Sequence, residues 1–509
     1  MSDDLTGLLG RKHTATRRHH LSTAAVSMLA VGGTIGTGLF FSVATLLAHG
    51  PLMAMASMCY VAFLVVIVLE VTAELSVFLP GEASLCKFLF TFLGRPVGLA
   101  NSLIYWLSWG LTYALELSIA ISICSFWDAE LASRYQTSLI LICWATLTAF
   151  NLFPVDIYGQ IECWMAFVKV AAIFSWILVI FASLLTKDQF FYAWVQDWPT
   201  STFGPSASWT NHVVAFINCL IFSSFIFQSV ESIAITTGDI NEPETTIPKA
   251  TKIIFVRIVV FYLASVFLLT ISVPYSDPAL LNPDIDNPLS SPFLIAMVNV
   301  GFPSTGPLLS SFNFVILSAI ISAANSNVYF GSRFLESMVQ AHGASSRWKF
   351  LARKNSYNVP VNAVLLTSAL GLASLLLKFQ SIATLFSFLL TCCASAGMLM
   401  WLLLCLSHVR FSQALKSQGK TRQSLKYCSN WKLEYWAWFA SVNLSLALLM
   451  NGLTNYWDFS WLALMGSYMT PLTFAILWLW FGGCKDFKSN FGLVPLSTID
   501  LSEGNFKPS

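Results

Sequence analysis

The sequence predicts an all-α membrane protein that crosses the bilayer many times. Three observations lead to this fold class: 56% of the 509 residues are hydrophobic, only 10% are charged, and apolar runs of membrane-spanning length follow one another along the chain. Soluble globular proteins carry about 25% charged residues. The composition therefore excludes a cytosolic enzyme and a disordered chain, and a net charge of +2 excludes a nucleic-acid partner.

A membrane-spanning helix needs about 20 mostly apolar residues. Twelve runs fit this description, and they are too long and alternate too little for the strands of a β-barrel. The first and the sixth runs differ from the rest because glycine and polar residues interrupt them. In chain order, the predicted spans cover residues 21–48, 52–78, 97–126, 137–153, 162–186, 212–237, 253–274, 306–332, 362–377, 381–407, 434–452 and 459–481.

The basic residues predict the orientation of the chain. Of the 27 Lys and Arg residues, 23 lie in the termini, in the loops or at the span ends on one side of the predicted spans, three lie in the loops on the other side, and Lys169 lies deeper within a span. Loops rich in Lys and Arg stay on the cytoplasmic side. We therefore expect both termini in the cytoplasm. The plasma membrane is the expected location, and an internal membrane is the alternative.

The two interrupted spans predict a binding site inside the membrane. The first contains the glycine-rich run 32–38, and the sixth is broken at 229–232 and again at 236–238. Unpaired backbone groups in hydrocarbon cost several kcal/mol each, so a break persists only around a cavity or a polar ligand. The start of a half-helix favours a carboxylate, whereas free carbonyl groups favour an ammonium group. Breaks at corresponding positions of two similar blocks indicate an inverted-repeat transporter. For the first break, close helix packing through small residues is the alternative.

Charged side chains inside the spans are functional candidates, because each costs about 2.5–3.5 kcal/mol at mid-bilayer on insertion scales. Lys169 would load and release a proton, or else extend to the membrane surface. Glu231 would bind an ammonium group, cap the break in the sixth span or relay protons. Glu116 would line a pocket, relay protons or form a buried hydrogen bond between helices. Interfacial or structural roles are expected for Glu70, Glu74 and Glu162.

Several ordered motifs resemble those of the fungal amino acid permeases, which belong to the amino acid–polyamine–organocation superfamily. The run VGGTIGTGLF at 31–40 resembles the first-helix signature of this family. The resemblance covers roughly residues 21–500. Further matching motifs are Leu107-Ser-Trp109, Glu162-Cys-Trp164, Val168-Lys169-Val170, Gly238-Asp239, Asn241-Glu242-Pro243, Ser322-Ala-Ala-Asn325 and His408-Val-Arg410-Phe411.

The resemblance implies the five-plus-five inverted-repeat (LeuT-like) fold with broken helices 1 and 6. Helices 1–5 would occupy residues 21–186, helices 6–10 residues 187–407, and two extra helices residues 408–481. A cytoplasmic arm at 1–20 and a cytoplasmic tail at 482–509 would flank them.

The resemblance also implies uptake of an amino acid driven by the proton gradient, with helix 1 binding the substrate carboxylate and helix 6 its amine. Phe225 corresponds to a gating aromatic residue, and Lys169 to a lysine that replaces sodium. Ser322 and Asn325, one turn apart on the eighth span, line the pocket or hydrogen-bond between helices. The predicted proton-coupling residues are Lys169, Glu116 and Glu231. The predicted substrate-binding residues are Thr34, Ile35, Gly36, Thr37, Gly38, Phe225, Ile226, Gln228, Ser229, Glu231, Ser322 and Asn325.

The sequence therefore predicts a secondary transporter whose partners are an amino acid, a proton and membrane lipid. No nucleophile–base pair or metal-ligand spacing is present in the sequence, so neither an enzyme nor a cofactor is expected. A non-transporting amino acid sensor on the same scaffold and a proton-independent exchanger are the alternatives.

Overall fold

A computed structural model describes residues 35–81, 84–186, 209–239, 242–281, 291–341, 348–379, 382–456, 459–482 and 493–501. Every regular element in these ranges is a helix. Thr34 and the earlier part of the first predicted span lie outside the described residues, so the break in that span is seen only from Ile35 onward.

Most of the principal helices are long, apolar segments. Two of them carry a π-helical stretch, at Gly38–Ser42 and at Ile258–Leu263. Shorter helical turns lie at Ala129–Arg134 and Pro278–Leu281, and 3₁₀ segments begin at Val230, Lys349, Leu372, Arg422, Asn451 and Leu496. In chain order, the helices are α1 (Gly38–Ala48), α2 (Pro51–Phe78), α3 (Ser84–Phe92), α4 (Arg95–Cys124), α5 (Gln136–Phe150), α6 (Val155–Leu185), α7 (Trp209–Ile226), α8 (Pro243–Ser272), α9 (Pro292–Asn299), α10 (Pro307–Ala341), α11 (Val361–Gly371), α12 (Ile382–Ser417), α13 (Leu433–Met450) and α14 (Trp461–Gly482).

Each predicted span has a helical counterpart in the described part of the chain. Nine helices there are long and apolar enough to cross a membrane, and the three remaining spans correspond to shorter apolar helices at Gly38–Ala48, Gln136–Phe150 and Val361–Leu376. Twelve complete crossings therefore stay a prediction, as does the division into two repeats. The sequence did not predict α3 or α9, which have nine and eight residues and are too short to span.

Helix α4 runs through the centre of the bundle and packs against α10, α11, α12 and α14. Small residues permit this close packing. A side chain at Gly110 would overlap Leu370 of α11, and a Cβ at Gly331 of α10 would lie 3.0 Å from the Cβ of Trp109. Consequently, residues on α4 can contact both interrupted segments from one side.

A buried charge cluster ties a loop to the end of α2. Arg422 donates from Nε to Glu74 at 2.8 Å, and the backbone N–H of Ser429 donates to the same carboxylate at 3.3 Å. His408 of α12 lies 3.3 Å from it through Nε2. Glu74 is fully buried and hydrogen-bonded, which agrees with the structural role expected for it.

Candidate functional site

The two interrupted segments touch each other in the structure. Helix α7 ends at Ile226, Ser229 has a backbone φ of +77°, and a 3₁₀ segment resumes at Val230. The interruption predicted in the sixth span is therefore present. A Cβ at Gly38, the first residue of α1, would lie 2.9 Å from the Cα of Ile226 and 3.4 Å from the carbonyl oxygen of Phe225. The backbone of α1 thus starts directly beside the carbonyl end of α7, where the backbone N–H of Gln228 donates to the Phe225 carbonyl oxygen at 3.2 Å.

The start of α1 holds a resident carboxylate. Ile35 and Thr37 are buried, and the hydroxyl of Thr37 donates a hydrogen bond to Glu116 of α4. Gly36 fits closely beside this carboxylate, since a Cβ there would lie 3.2 Å from Glu116 Oε1 and 2.7 Å from the Cβ of Ala323. Helices α1, α4 and α10 therefore converge on Glu116, at the positive end of the α1 dipole.

Lys169 lies inside the bundle and does not extend to the surface. Its side chain is 0% exposed, and its Nζ atom lies 3.7 Å from Oε1 of Glu162 on the same helix. The hydroxyl of Ser322 donates to that same Glu162 oxygen, and Lys169 also interacts electrostatically with Glu116. Glu162 is 2% exposed, so it is buried together with Lys169. Its position seven residues before Lys169, two turns along one helix face, is the signal that could have revealed the pair.

Asn325 takes part in a hydrogen bond between helices. Asn151, which follows α5, donates from Nδ2 to Asn325 Oδ1 at 2.7 Å. At the next position of α10, Ser326 accepts a hydrogen bond from the hydroxyl of Tyr158 on α6 at 3.1 Å. Of the two alternatives for Asn325, a hydrogen bond between helices is therefore the one with a partner residue in the structure. Ser322 instead hydrogen-bonds to Glu162, the partner of Lys169.

Glu231 occupies a second buried polar centre. Tyr105 of α4 donates its hydroxyl hydrogen to Glu231 Oε1, and Trp401 of α12 donates from Nε1 to Oε2 at 2.8 Å. A backbone group of Ser229 also hydrogen-bonds to the carboxylate. The capping alternative for Glu231 therefore has direct support. Tyr105 and Glu116 are eleven residues apart on α4, which is about 16 Å along the helix axis, so the two carboxylates form separate centres.

Gln228 bridges the sixth-span interruption to α12. Its Nε2 atom donates to the carbonyl oxygen of Cys393 at 2.6 Å, and Gly397 provides the space for its side chain. Nothing in the sequence indicates that this segment contacts Cys393, Gly397, Tyr105 or Trp401, because these residues lie far away along the chain. The side chain of Gln228 is thus engaged with α12, while Phe225, Ile226 and Ser229 are buried at the interruption.

Comparison with known proteins identifies the family of this chain. The family whose sequence model is described as "Amino acid permease" matches residues 25–490 of this chain. The chain belongs to the amino acid permease family. It is accordingly an integral, multi-pass membrane protein that transports amino acids, and it is not an enzyme.

The relatives of this permease include transporters of basic amino acids. It is 36% identical over 504 residues to the probable lysine/arginine permease CAN2 of Candida albicans (strain SC5314 / ATCC MYA-2876), with 96% of this chain and 85% of that protein covered. It is 31% identical over 482 residues to the lysine-specific permease of Saccharomyces cerevisiae (strain ATCC 204508 / S288c), with 94% and 77% covered.

A solved structure of a distant transporter has the same fold. The manganese transporter of Eremococcus coleocola, in complex with an aromatic bis-isothiourea substituted compound, superposes with a TM-score of 0.57 at 10% sequence identity. The match covers 90% of this permease and 93% of that chain. At this identity the likeness concerns the fold alone, and it confirms the predicted LeuT-like class with interrupted helices.

Proposed function

We propose that this permease imports basic amino acids, with lysine and arginine as the expected substrates, by proton-coupled alternating access. The observation that carries the proposal is the buried carboxylate of Glu116 at the meeting point of α1, α4 and α10, hydrogen-bonded by Thr37. A cationic side chain is costly to bury unless it finds a counter-charge, and Glu116 provides one. The lysine/arginine and lysine-specific names of the relatives agree with this choice.

The two interruptions would bind the part that all amino acids share. The α-carboxylate would accept hydrogen bonds from backbone N–H groups at the start of α1, between Thr34 and Gly38. The α-amine would donate to the carbonyl groups at the end of α7, at Phe225 and Ile226. The contact between Gly38 and Ile226 supports this arrangement, because one small zwitterion can reach both ends.

Proton coupling would use the charged groups beside Glu116. Lys169 lies between two carboxylates, and a proton that leaves or joins this cluster changes its charge balance. Such a change can bias the outward-facing and inward-facing states only if the proton binds them with different affinity. Glu231, whose partners are the neutral groups of Tyr105 and Trp401, would cap the interruption rather than bind the proton.

The proposal includes the orientation of the molecule. The excess of Lys and Arg on one side supports cytoplasmic termini, and the plasma membrane is the proposed location. Chain orientation can be measured by introducing single cysteines into the termini of the protein and labelling them in intact and in permeabilised cells.

Uptake into proteoliposomes tests the function. Purified protein is reconstituted, the membrane potential is clamped with potassium and valinomycin, and radiolabelled lysine is added with and without an inward proton gradient. We expect accumulation only with the gradient, and competition by unlabelled arginine at least about tenfold stronger than by leucine or glutamine. Glu130→Gln, in an exposed turn, is the control, and Glu116→Gln should abolish the preference for basic substrates.

Three results would contradict the proposal, each in a different part. If none of the labelled amino acids were taken up, the protein would not be an amino acid transporter. Equal competition by neutral amino acids would show that its substrates are not restricted to basic amino acids. Lysine accumulation that is indifferent to the proton gradient, but stimulated by lysine inside the vesicles, would replace symport with exchange.

A further inference from the structure

The charged cluster beside the α1 interruption contains two carboxylates and one ammonium group. Glu116, Glu162 and Lys169 are 4%, 2% and 0% exposed. They come from two helices, α4 and α6. When all three are ionised, the cluster carries one unmatched negative charge. Charges interact strongly in such a buried environment. If Lys169 pairs with Glu162, the Glu116 carboxylate has no counter-charge within this cluster, and if Lys169 pairs with Glu116, the Glu162 carboxylate has none.

The structure shows how Lys169 is directed. Its Nζ atom is 3.7 Å from Oε1 of Glu162. Ser322 of α10 donates to the same oxygen and so fixes the orientation of that carboxylate. Glu116 is held instead by the hydroxyl of Thr37, which is a neutral donor. Lys169 also interacts electrostatically with Glu116, so the two carboxylates compete for one ammonium group.

We infer that Glu162 is a positioning residue that holds Lys169 away from Glu116 and so keeps the Glu116 carboxylate unmatched for the cationic side chain of the substrate. Without Glu162, Lys169 keeps its electrostatic interaction with Glu116, and this pair occupies the site that a lysine or arginine side chain requires. The inference rests on the proposed function, because it explains how a site that contains its own lysine can accept a cationic substrate.

The direct test is equilibrium binding of radiolabelled lysine to the purified full-length protein. Binding does not depend on proton coupling, in which Lys169 is itself a candidate. We expect Glu162→Gln to raise the Kd for lysine at least about tenfold, because the freed ammonium pairs with Glu116 and repels the substrate. The double variant Glu162→Gln/Lys169→Gln should return the Kd to within about threefold of the wild-type value, because Glu116 is unmatched again.

Rescue by a second substitution distinguishes this role from a structural one. A residue needed only for packing would not regain function when its neighbour is also changed. The exposed Glu130→Gln, which lies outside the cluster, should leave the Kd unchanged. Fluorescence-detected gel filtration of each variant reports whether the fold is retained.

The inference is overturned if Glu162→Gln binds lysine as well as the wild type does, or if the double variant binds as weakly as Glu162→Gln. Should Glu162→Gln fail to fold, Lys169→Gln alone decides the matter. Lysine binding that is retained or tightened in this variant supports the inference, and loss of lysine binding overturns it. Failure of the proposed function looks different, because the wild-type protein itself would then bind neither lysine nor arginine.

Discussion

Gly38 is the residue through which the two interrupted segments meet. A Cβ there would lie 2.9 Å from the Cα of Ile226, closer than such atoms approach in proteins. We expect Gly38→Ala to push α1 and α7 apart and to lower lysine uptake at least about tenfold, while the protein remains folded. Radiolabelled uptake and thermal unfolding of the purified protein measure the two effects.

The matched control is Gly466→Ala on α14. The nearest atom to a Cβ there belongs to the flexible side chain of Phe388, at 3.2 Å, and can shift. This control should retain most of the uptake. Equal losses in both variants would mean that the contact between Gly38 and Ile226 has no special role.

At the same scale, some site residues could be predicted from the sequence and others could not. Charge is rare in apolar runs, and this rarity singles out Glu116, Lys169 and Glu231. Their partners depend on contacts between distant parts of the chain. Nothing near Glu231 in the sequence indicates Trp401, which lies 170 positions away and donates a hydrogen bond to it.

The geometry of the interruption after α7 depends on one unusual backbone angle. Ser229 has a φ of +77°, which glycine adopts readily and a β-branched residue adopts only with strain. We expect Ser229→Gly to retain uptake and to keep or raise the thermal stability, by up to about 1 kcal/mol. Ser229→Val should destabilise the protein and lower the uptake several-fold.

Thermal unfolding of the two purified variants checks this expectation, and the wild type is their reference. If Ser229→Val were as stable and as active as Ser229→Gly, the backbone at this position would not be the constraint. The comparison matters because the carbonyl groups that are proposed to bind the substrate amine lie at this interruption.

Among the helices, hydropathy predicted the apolar segments but not the full extents of the helices. Helices α10 and α12 continue to Ala341 and Ser417, about ten residues beyond the predicted spans. Their ends contain polar residues that lower the hydropathy without ending the helix. Helices α3 and α9 escaped prediction because each is shorter than a span.

Considered as a whole, the molecule places its two polar centres along one helix. Helix α4 provides Tyr105 to the Glu231 centre and Glu116 to the Thr37 centre. Any movement of α1 or of the sixth-span segment relative to α4 must keep or break these hydrogen bonds. Composition was enough to predict an all-helical membrane protein, whereas the meeting of the two interruptions depends on tertiary packing, which a single sequence does not specify.

The central claim is that two interrupted helices jointly bind the backbone of an amino acid. A cryo-electron-microscopy structure of the full-length protein with lysine bound tests it most directly. We expect the α-carboxylate at the backbone N–H groups of residues 36–38, the α-amine at the carbonyl groups of Phe225 and Ile226, and the side-chain ammonium at Glu116. Lysine bound away from both interruptions, or continuous helices through these segments, would contradict the account.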